Sequence, residues 1–115
     1  MIIGIGTDIV LISRITDKIN HKILSEEETK IYMSFSSEKR KQEFLAGRFA
    51  IKEAIIKAFN LKSPHYSMTE LCVLNDGFGK PYLFRPILSG EKIWLSISHE
   101  STYAIGLCVI EEQKE

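Results

Sequence analysis

Four charged side chains lie within the mainly apolar stretch 44–59: Arg48, Lys52, Glu53 and Lys57. The pattern predicts a helix, in which successive residues are turned by about 100°. Arg48 and Lys52 then project among large apolar side chains, and Glu53 and Lys57 project among alanines. Charges embedded in this way need partners, which are ions, phosphate groups or one another. The alternative is that Glu53 and Lys57 pair with each other, while Arg48 and Lys52 extend to solvent.

A lone carboxylate, Asp8, follows two glycines in an apolar strand predicted over residues 2–10. Because strand side chains alternate, Gly4, Gly6 and Asp8 share one face. The two missing side chains allow a ligand or another backbone to approach closely beside the carboxylate. In the simpler alternative, the glycines only permit another backbone to pack tightly, and Asp8 caps the next segment.

Two further signals are the turn Gly79-Lys80-Pro81 and the strand end Ser96-Ile97-Ser98-His99. Two carboxylates from separate elements, Asp8 and Glu53, suit Mg²⁺, which completes its coordination with waters and substrate phosphates. Cations nearby suit a polyanionic phosphate ligand. Together these signals describe a site for phosphoryl transfer, which depends on positioning and charge neutralisation. Taken singly, Lys80 and His99 are equally consistent with ordinary turn residues.

The surrounding elements must position these residues, and their pattern predicts an α+β domain with an antiparallel sheet packed on one long helix. A capping box at Ser25 opens a short helix that ends near Ser34, and Ser36 or Ser37 caps the long helix. The long helix is expected to end at Phe59, near Asn60. The other predicted elements are a short helix over 13–21, a loop over 61–69, strands over 71–74, 82–84, 93–98 and 103–110, and a glycine-rich hairpin connection over 75–81.

Length and composition narrow the function classes. A chain of 115 residues suits a single domain, here residues 1–115. Its 15 basic and 15 acidic residues argue against a general nucleic-acid binder. The N-terminal segment lacks the basic start of a signal peptide, and no apolar run is long enough for a membrane span. Cys72 and Cys108 are expected to be reduced packing residues, which predicts a cytoplasmic protein.

The order of these motifs along nearly the whole chain resembles that of the holo-[acyl-carrier-protein] synthases, the small phosphopantetheinyl transferases of fatty-acid synthesis. The resemblance implies transfer of the 4′-phosphopantetheine arm of coenzyme A to a serine of an apo acyl carrier protein, which leaves adenosine 3′,5′-bisphosphate. The segments that carry it are Gly4-Ile5-Gly6-Thr7-Asp8-Ile9-Val10, Arg40 with Glu43-Phe44-Leu45-Ala46-Gly47-Arg48-Phe49-Ala50-Ile51-Lys52-Glu53-Ala54, Asn75-Asp76 with Gly79-Lys80-Pro81-Tyr82, and Ser96-Ile97-Ser98-His99.

The resemblance also implies roles for individual residues. Asp8 and Glu53 match metal-binding carboxylates for Mg²⁺, with Mn²⁺ left open, and Glu53 also helps to deprotonate the serine. Lys57 matches a catalytic lysine that meets the pyrophosphate and the leaving group. His99 matches either a phosphate contact or a catalytic proton-transfer residue. The positions expected to bind coenzyme A are Arg40, Arg48, Lys52, Gly79, Lys80, Pro81, Ser98 and His99.

Two protein partners are expected. The resemblance implies a homotrimer with shared sites, and a small sheet covered by one helix would also leave an apolar face exposed. Arg14, Lys18 and Lys22 recur at about every fourth residue, so a helix through them would present a basic edge. The resemblance implies that this edge binds an acidic carrier protein. Without the resemblance, the basic residues would be read as an ordinary solvent-exposed face.

Two other function classes compete with the transferase. A non-catalytic module that binds carrier protein or nucleotide would not need Asp8, Glu53 and Lys57 together. The second alternative class is a different Mg²⁺-dependent phosphotransferase or hydrolase that acts on nucleotides. The sequence has no GxxxxGK[ST] loop, which argues against a P-loop enzyme.

Overall fold

The long helix α3 and the strands that pack on it form the centre of the molecule. The computed structural model describes residues 1–59 and 66–113. The elements are β1 (Ile2–Leu11), two 3₁₀ turns (Ile12–Arg14 and Asp17–Ile19), α1 (Asn20–Ile23), α2 (Glu26–Ser34), α3 (Glu38–Phe59), a third 3₁₀ turn (Met68–Glu70), β2 (Cys72–Asn75), β3 (Pro81–Arg85), β4 (Glu91–His99) and β5 (Tyr103–Glu112).

The strands are antiparallel, as predicted, but they form two sheets instead of one. β1, β5 and β4 pair in that order in a three-stranded sheet, and β2 and β3 pair separately in a hairpin. In β4, Leu95 is buried and Ile93 and Ile97 are half-buried, while the residues between them are exposed. This alternation confirms the half-buried strand predicted there. The α+β class is also confirmed.

Close backbone packing joins α3 to the three-stranded sheet. A Cβ atom on Gly4 or Gly6 of β1 would overlap the carbonyl oxygens of Ala58 and Ala54. The two alanines are four residues apart and therefore share one edge of the helix. Of the alternatives for these glycines, tight packing of another backbone is the one that the structure bears out. The space left by the missing side chains of Gly4 and Gly6 is filled by α3.

Both predicted helix starts are confirmed. The Ser25 hydroxyl accepts a hydrogen bond from the Glu28 backbone N–H, and the Glu28 carboxylate accepts one from the Ser25 N–H, which is the reciprocal capping box. The Ser37 hydroxyl accepts from the Arg40 N–H at 3.2 Å, so Ser37 and not Ser36 caps α3. The predicted end near Asn60 and residues 61–65 of the predicted loop lie outside the described residues.

The single short helix predicted over 13–21 is wrong. The segment consists of two 3₁₀ turns and the one-turn helix α1, because the backbone is extended at Ile15 and Thr16. Contacts to other elements determine this path. Gln42 Nε2 donates to the Ile12 carbonyl oxygen at 3.3 Å, and the Tyr32 hydroxyl donates to Asp17 Oδ1 at 2.5 Å. Arg14, Lys18 and Lys22 therefore do not form one continuous helix edge.

Among residues 1–59 and 66–113, no helix is both long enough and apolar enough to span a membrane.

Candidate active site

A cavity of about 510 Å³ opens between α3, the β2–β3 turn and the end of β4. We call it the arginine cavity. It brings together five of the residues expected to bind coenzyme A, although they are far apart in the sequence. These five are Arg40, Arg48, Gly79, Pro81 and His99.

Two aromatic rings support the cations of the arginine cavity. The guanidinium carbon of Arg40 lies 4.6 Å from the centre of the Phe35 ring, and that of Arg48 lies 4.4 Å from the centre of the Phe44 ring. The two rings meet edge to face at 5.5 Å. Cations held over aromatic faces are oriented without being neutralised. The arrangement suits a ligand with both anionic and flat apolar parts.

Arg48 is held by acceptors on the β2–β3 hairpin. Its Nε donates to the Val73 carbonyl oxygen at 3.1 Å, and its Nη2 donates to Asn75 Oδ1 at 2.5 Å. Burial lowers the pKa of Arg48, and the nearby Glu28 carboxylate opposes that shift. The guanidinium therefore sits in a fixed orientation at the wall of the cavity.

Lys52 is buried, which corrects its assignment to the binding of coenzyme A. Its ammonium donates to Glu28 Oε1 at 2.5 Å, to the Ile23 carbonyl oxygen at 2.6 Å and to the Met68 carbonyl oxygen at 2.9 Å. Its three hydrogens thus have three acceptors, and the side chain is 0% exposed. Burial lowers the pKa of Lys52, and Glu28 opposes that shift. The alternative in which Lys52 extends to solvent is wrong for the same reason.

Glu28 is the residue that sequence reasoning missed. Besides closing the capping box, its fully buried carboxylate accepts from Lys52, accepts from the Val73 N–H at 2.8 Å and lies 3.8 Å from Arg48 Nε. We call Glu28, Arg48 and Lys52 the buried ion cluster. The cations embedded among apolar residues indicated that a buried anion was needed. The sequence held no signal for which of its carboxylates would supply it.

The second group of predicted residues lies along another edge of α3. Lys57 Nζ is 3.0 Å from Asp8 Oδ1 and 3.1 Å from the Thr7 carbonyl oxygen. Glu53 lies one helical turn before Lys57, on the same side of the helix. The expected alternative, an ion pair between Glu53 and Lys57, does not occur among the described residues. We call Asp8, Glu53 and Lys57 the carboxylate edge.

The carboxylate edge offers carboxylate oxygens, the donor type that hard divalent cations prefer. The Lys57 ammonium at Asp8 shows that a cation is accommodated beside this carboxylate, whose side chain is 17% exposed. Within the described residues, no group of three or more Asp, Glu, His or Cys side chains gathers at one point. A metal held there would accordingly take its other ligands from water and phosphate oxygens, as Mg²⁺ does.

Of the other predicted residues, Lys80 and Ser98 are not in the lining of the arginine cavity, whereas His99 is. Lys80 Nζ is 5.3 Å from the centre of the Trp94 ring. Ser98 lies on one face of β4 and its neighbours Ile97 and His99 lie on the other, because side chains alternate along a strand. His99 Nδ1 is 3.8 Å from Glu43 Oε2 in the lining of the cavity. The exposed residues Arg14, Lys18 and Lys22 lie on the segment before α2.

Comparison with known proteins agrees with this geometry. The family model described as the 4′-phosphopantetheinyl transferase superfamily matches residues 4–108. The chain therefore belongs to the 4′-phosphopantetheinyl transferase superfamily.

The similar relatives within this superfamily are holo-[acyl-carrier-protein] synthases, which confirms the resemblance found in the sequence. The synthase of Petrotoga mobilis is 41% identical over 98% of this chain and 99% of its own. That of Bacillus subtilis is also 41% identical, over 96% and 97%. The crystal structure of a Bacillus anthracis synthase in complex with CoA (3′,5′-ADP) is 36% identical, with a TM-score of 0.86 over 98% of this chain and 99% of that one.

Replacement of the buried carboxylate tests the ion cluster. Glu28→Gln keeps the size of the side chain but leaves the Arg48 and Lys52 cations buried without an anion. We expect a loss of about 3–5 kcal/mol in the free energy of unfolding, measured by urea denaturation. Glu27→Gln is the charge-matched control, because its half-buried carboxylate pairs with Arg85 at the surface. Equal losses in the two variants would contradict a special role for the cluster.

Proposed function

We propose that this chain is a holo-[acyl-carrier-protein] synthase of fatty-acid biosynthesis. In this proposal it moves 4′-phosphopantetheine from coenzyme A to a serine of an apo acyl carrier protein and releases adenosine 3′,5′-bisphosphate. The observation that carries the proposal is the arginine cavity. It gathers Arg40, Arg48 and His99 around a space suited to an anionic ligand with a flat ring, as coenzyme A is, in a chain whose relatives are such synthases.

The reaction exchanges a phosphoanhydride bond of coenzyme A for a phosphate ester bond to serine. The serine oxygen forms a bond to the phosphorus that carries pantetheine, and the bond from that phosphorus to the bridging pyrophosphate oxygen breaks. The bridging oxygen leaves with adenosine 3′,5′-bisphosphate. In the proposal Glu53 takes the serine proton, and Lys57 neutralises the charge that builds on the leaving phosphate. Arg40 and Arg48 hold the phosphates of the nucleotide part, and Gly79, Lys80, Pro81, Ser98 and His99 complete the coenzyme A site.

Asp8 and Glu53 would hold a divalent cation, Mg²⁺ or Mn²⁺. When bound, this ion supplies positive charge to the phosphate oxygens. Two oxygen ligands from separate elements support the assignment, as does the cation already beside Asp8. Lys57 is the protein's own positive charge at this edge. Its exposed position lets it reach a ligand without rearrangement of α3.

Substitution of the carboxylate edge tests the activity and the metal together. We expect the wild-type chain with coenzyme A and Mg²⁺ to add one phosphopantetheine to an apo carrier protein, measured by mass spectrometry. Asp8→Ala and Glu53→Ala should each nearly abolish the transfer, and a metal chelator should do the same to the wild type. Lys57→Ala should lower kcat by roughly 10²-fold, the effect of losing one preorganised charge.

The exposed carboxylate variant Glu26→Gln serves as the control and should transfer normally. Normal turnover by either metal-ligand variant at millimolar Mg²⁺ would refute the metal assignment. No transfer by the wild type to any tested carrier would favour the non-catalytic binding module.

We also propose that complete sites form between subunits of a homotrimer. In one chain, the residues that line the arginine cavity do not include Asp8, Glu53 or Lys57. On the outer face of the three-stranded sheet, away from α3, six apolar side chains are 39% to 67% exposed. An apolar patch of this kind marks an interface. Its members are Ile5, Ile9, Trp94, Tyr103, Ile105 and Leu107.

Mixing two inactive variants tests the shared site. Asp8→Ala damages the carboxylate edge and Arg40→Ala damages the cavity, so each homotrimer should be impaired. After the two are unfolded and refolded together, we expect activity well above the sum of the separate preparations, because some interfaces combine two intact halves. Activity equal to that sum, or a monomer in sedimentation with full activity, would contradict a shared site.

For the carrier protein we propose the exposed cations Arg14, Lys18 and Lys22 as the docking surface. Arg14 and Lys18 lie on the two 3₁₀ turns and Lys22 lies in α1. Gln42 and Tyr32 hold the two turns against α3 and α2. An acidic partner would be steered to them by charge. The cytoplasmic location and the single domain predicted from the sequence stay predictions.

Charge reversal tests this docking surface. Arg14→Glu should raise KM for the carrier protein by roughly 3- to 10-fold at low salt, because it exchanges an attraction for a repulsion. KM for coenzyme A should change little, and added salt should reduce the difference. Lys30→Glu on α2 makes the same charge change as a control. Equal effects of Arg14→Glu on both substrates would assign Arg14 to the general fold.

A further inference from the structure

We infer that Asn75 is a positioning residue that holds Arg48 and the turn at Gly79 in the geometry that binds the anionic substrate. The inference deepens the proposed function and rests on it for the identity of that substrate, coenzyme A. Asn75 itself is the last residue of β2 and lies in the lining of the arginine cavity.

One amide group connects two parts of the cavity wall. Asn75 Oδ1 accepts from Arg48 Nη2 at 2.5 Å, and Asn75 Nδ2 donates to the Gly79 carbonyl oxygen at 3.1 Å. The oxygen can only accept and the nitrogen can only donate, so these two partners define the orientation of the amide. Asn75 thereby ties α3 to the turn between β2 and β3.

The turn does not need Asn75 for its own conformation. Asp76 Oδ1 accepts from the backbone N–H groups of Phe78 and Lys80, both at 2.9 Å. The Gly79 N–H donates to the Asp76 carbonyl oxygen at 2.9 Å, and Gly79 adopts a φ of 82° that suits glycine. Asp76 and Gly79 therefore determine the conformation of the turn, and the Asn75 side chain determines its position relative to Arg48.

The charge balance explains why an amide suits this position. The buried ion cluster holds two cations and one carboxylate, so its formal charge is positive. Glu28 accepts from Lys52, from the Ser25 N–H and from the Val73 N–H. It stays 3.8 Å from Arg48 Nε. The amide oxygen of Asn75 orients the Arg48 guanidinium without cancelling its charge, which remains available to a phosphate in the cavity.

Two substitutions separate orientation from charge. Asn75→Ala removes both hydrogen bonds, and we expect KM for coenzyme A to rise by about tenfold, with kcat and KM for the carrier protein nearly unchanged. Asn75→Asp keeps an acceptor for Arg48 but adds a negative charge beside the phosphates. Its KM for coenzyme A should rise at low salt and recover as salt is added. The loss in Asn75→Ala should depend much less on salt.

A double-mutant cycle and a matched control complete the experiment. If Asn75 acts through Arg48, the effect of Asn75→Ala should shrink in an Arg48→Lys background, since lysine lacks the forked donor. Asn20→Ala removes another exposed asparagine hydrogen bond, to Asp17, and should leave KM for coenzyme A unchanged. Calorimetric titration with coenzyme A gives the same comparison without turnover.

The outcomes distinguish the inference from the proposed function. An unchanged KM and binding constant for coenzyme A in Asn75→Ala would overturn the inference, as would equal increases for both substrates or a large loss of thermal stability. Additive effects in the cycle would also overturn it. A wild-type chain that binds coenzyme A but transfers nothing would refute the proposed function, and the titrations would still decide the role of Asn75.

Discussion

The salt bridge between Lys52 and Glu28 is the interaction on which the rest of the structure depends. Lys52 also reaches carbonyl oxygens at the end of α1 and in the turn before β2, and Glu28 reaches the β2 backbone. One pair of side chains therefore joins the segments around α3. Burial lowers the pKa of Lys52, and the Glu28 carboxylate opposes that shift by stabilising the charged form. Such a pair favours one arrangement of segments over others that leave a charge unpaired.

The helix α3 contributes to both the arginine cavity and the carboxylate edge, because its charged residues point in different directions. Arg48 lines the arginine cavity, where it donates to Asn75 of the β2–β3 hairpin. Lys57 pairs with Asp8 on β1. Between them, alanines lie directly on the strand backbone. A single rigid element thus sets the positions of a phosphate-binding wall and a carboxylate edge. Neither depends on a long flexible loop within the described residues.

Local sequence patterns were sufficient to predict helix starts and strands. They were not sufficient to predict which residues pair with the charged side chains. The capping box at Ser25 and the alternation in β4 could be predicted because they depend on residues close in sequence. The partners of Lys52 and Lys57 could not, because Glu28 and Asp8 lie 24 and 49 residues away. The helix predicted over 13–21 failed for a related reason, since long-range contacts of Gln42 and Tyr32 determine its path. Helical spacing suggested Lys52 as a ligand residue, and burial overrode it.

The close packing of α3 on β1 also limits where the chain can change in length. One residue inserted between Ala54 and Lys57 would turn the following side chains by about 100° and advance them by about 1.5 Å. Lys57 would then leave Asp8, because Ala54 lies against the strand backbone and the helix cannot slide to compensate. By contrast, the turn at Gly90 has nothing within 4 Å of an added Cβ and lies outside the lining of the arginine cavity. Insertions are therefore compatible with function in that turn, whereas inside α3 they would separate the two halves of the carboxylate edge.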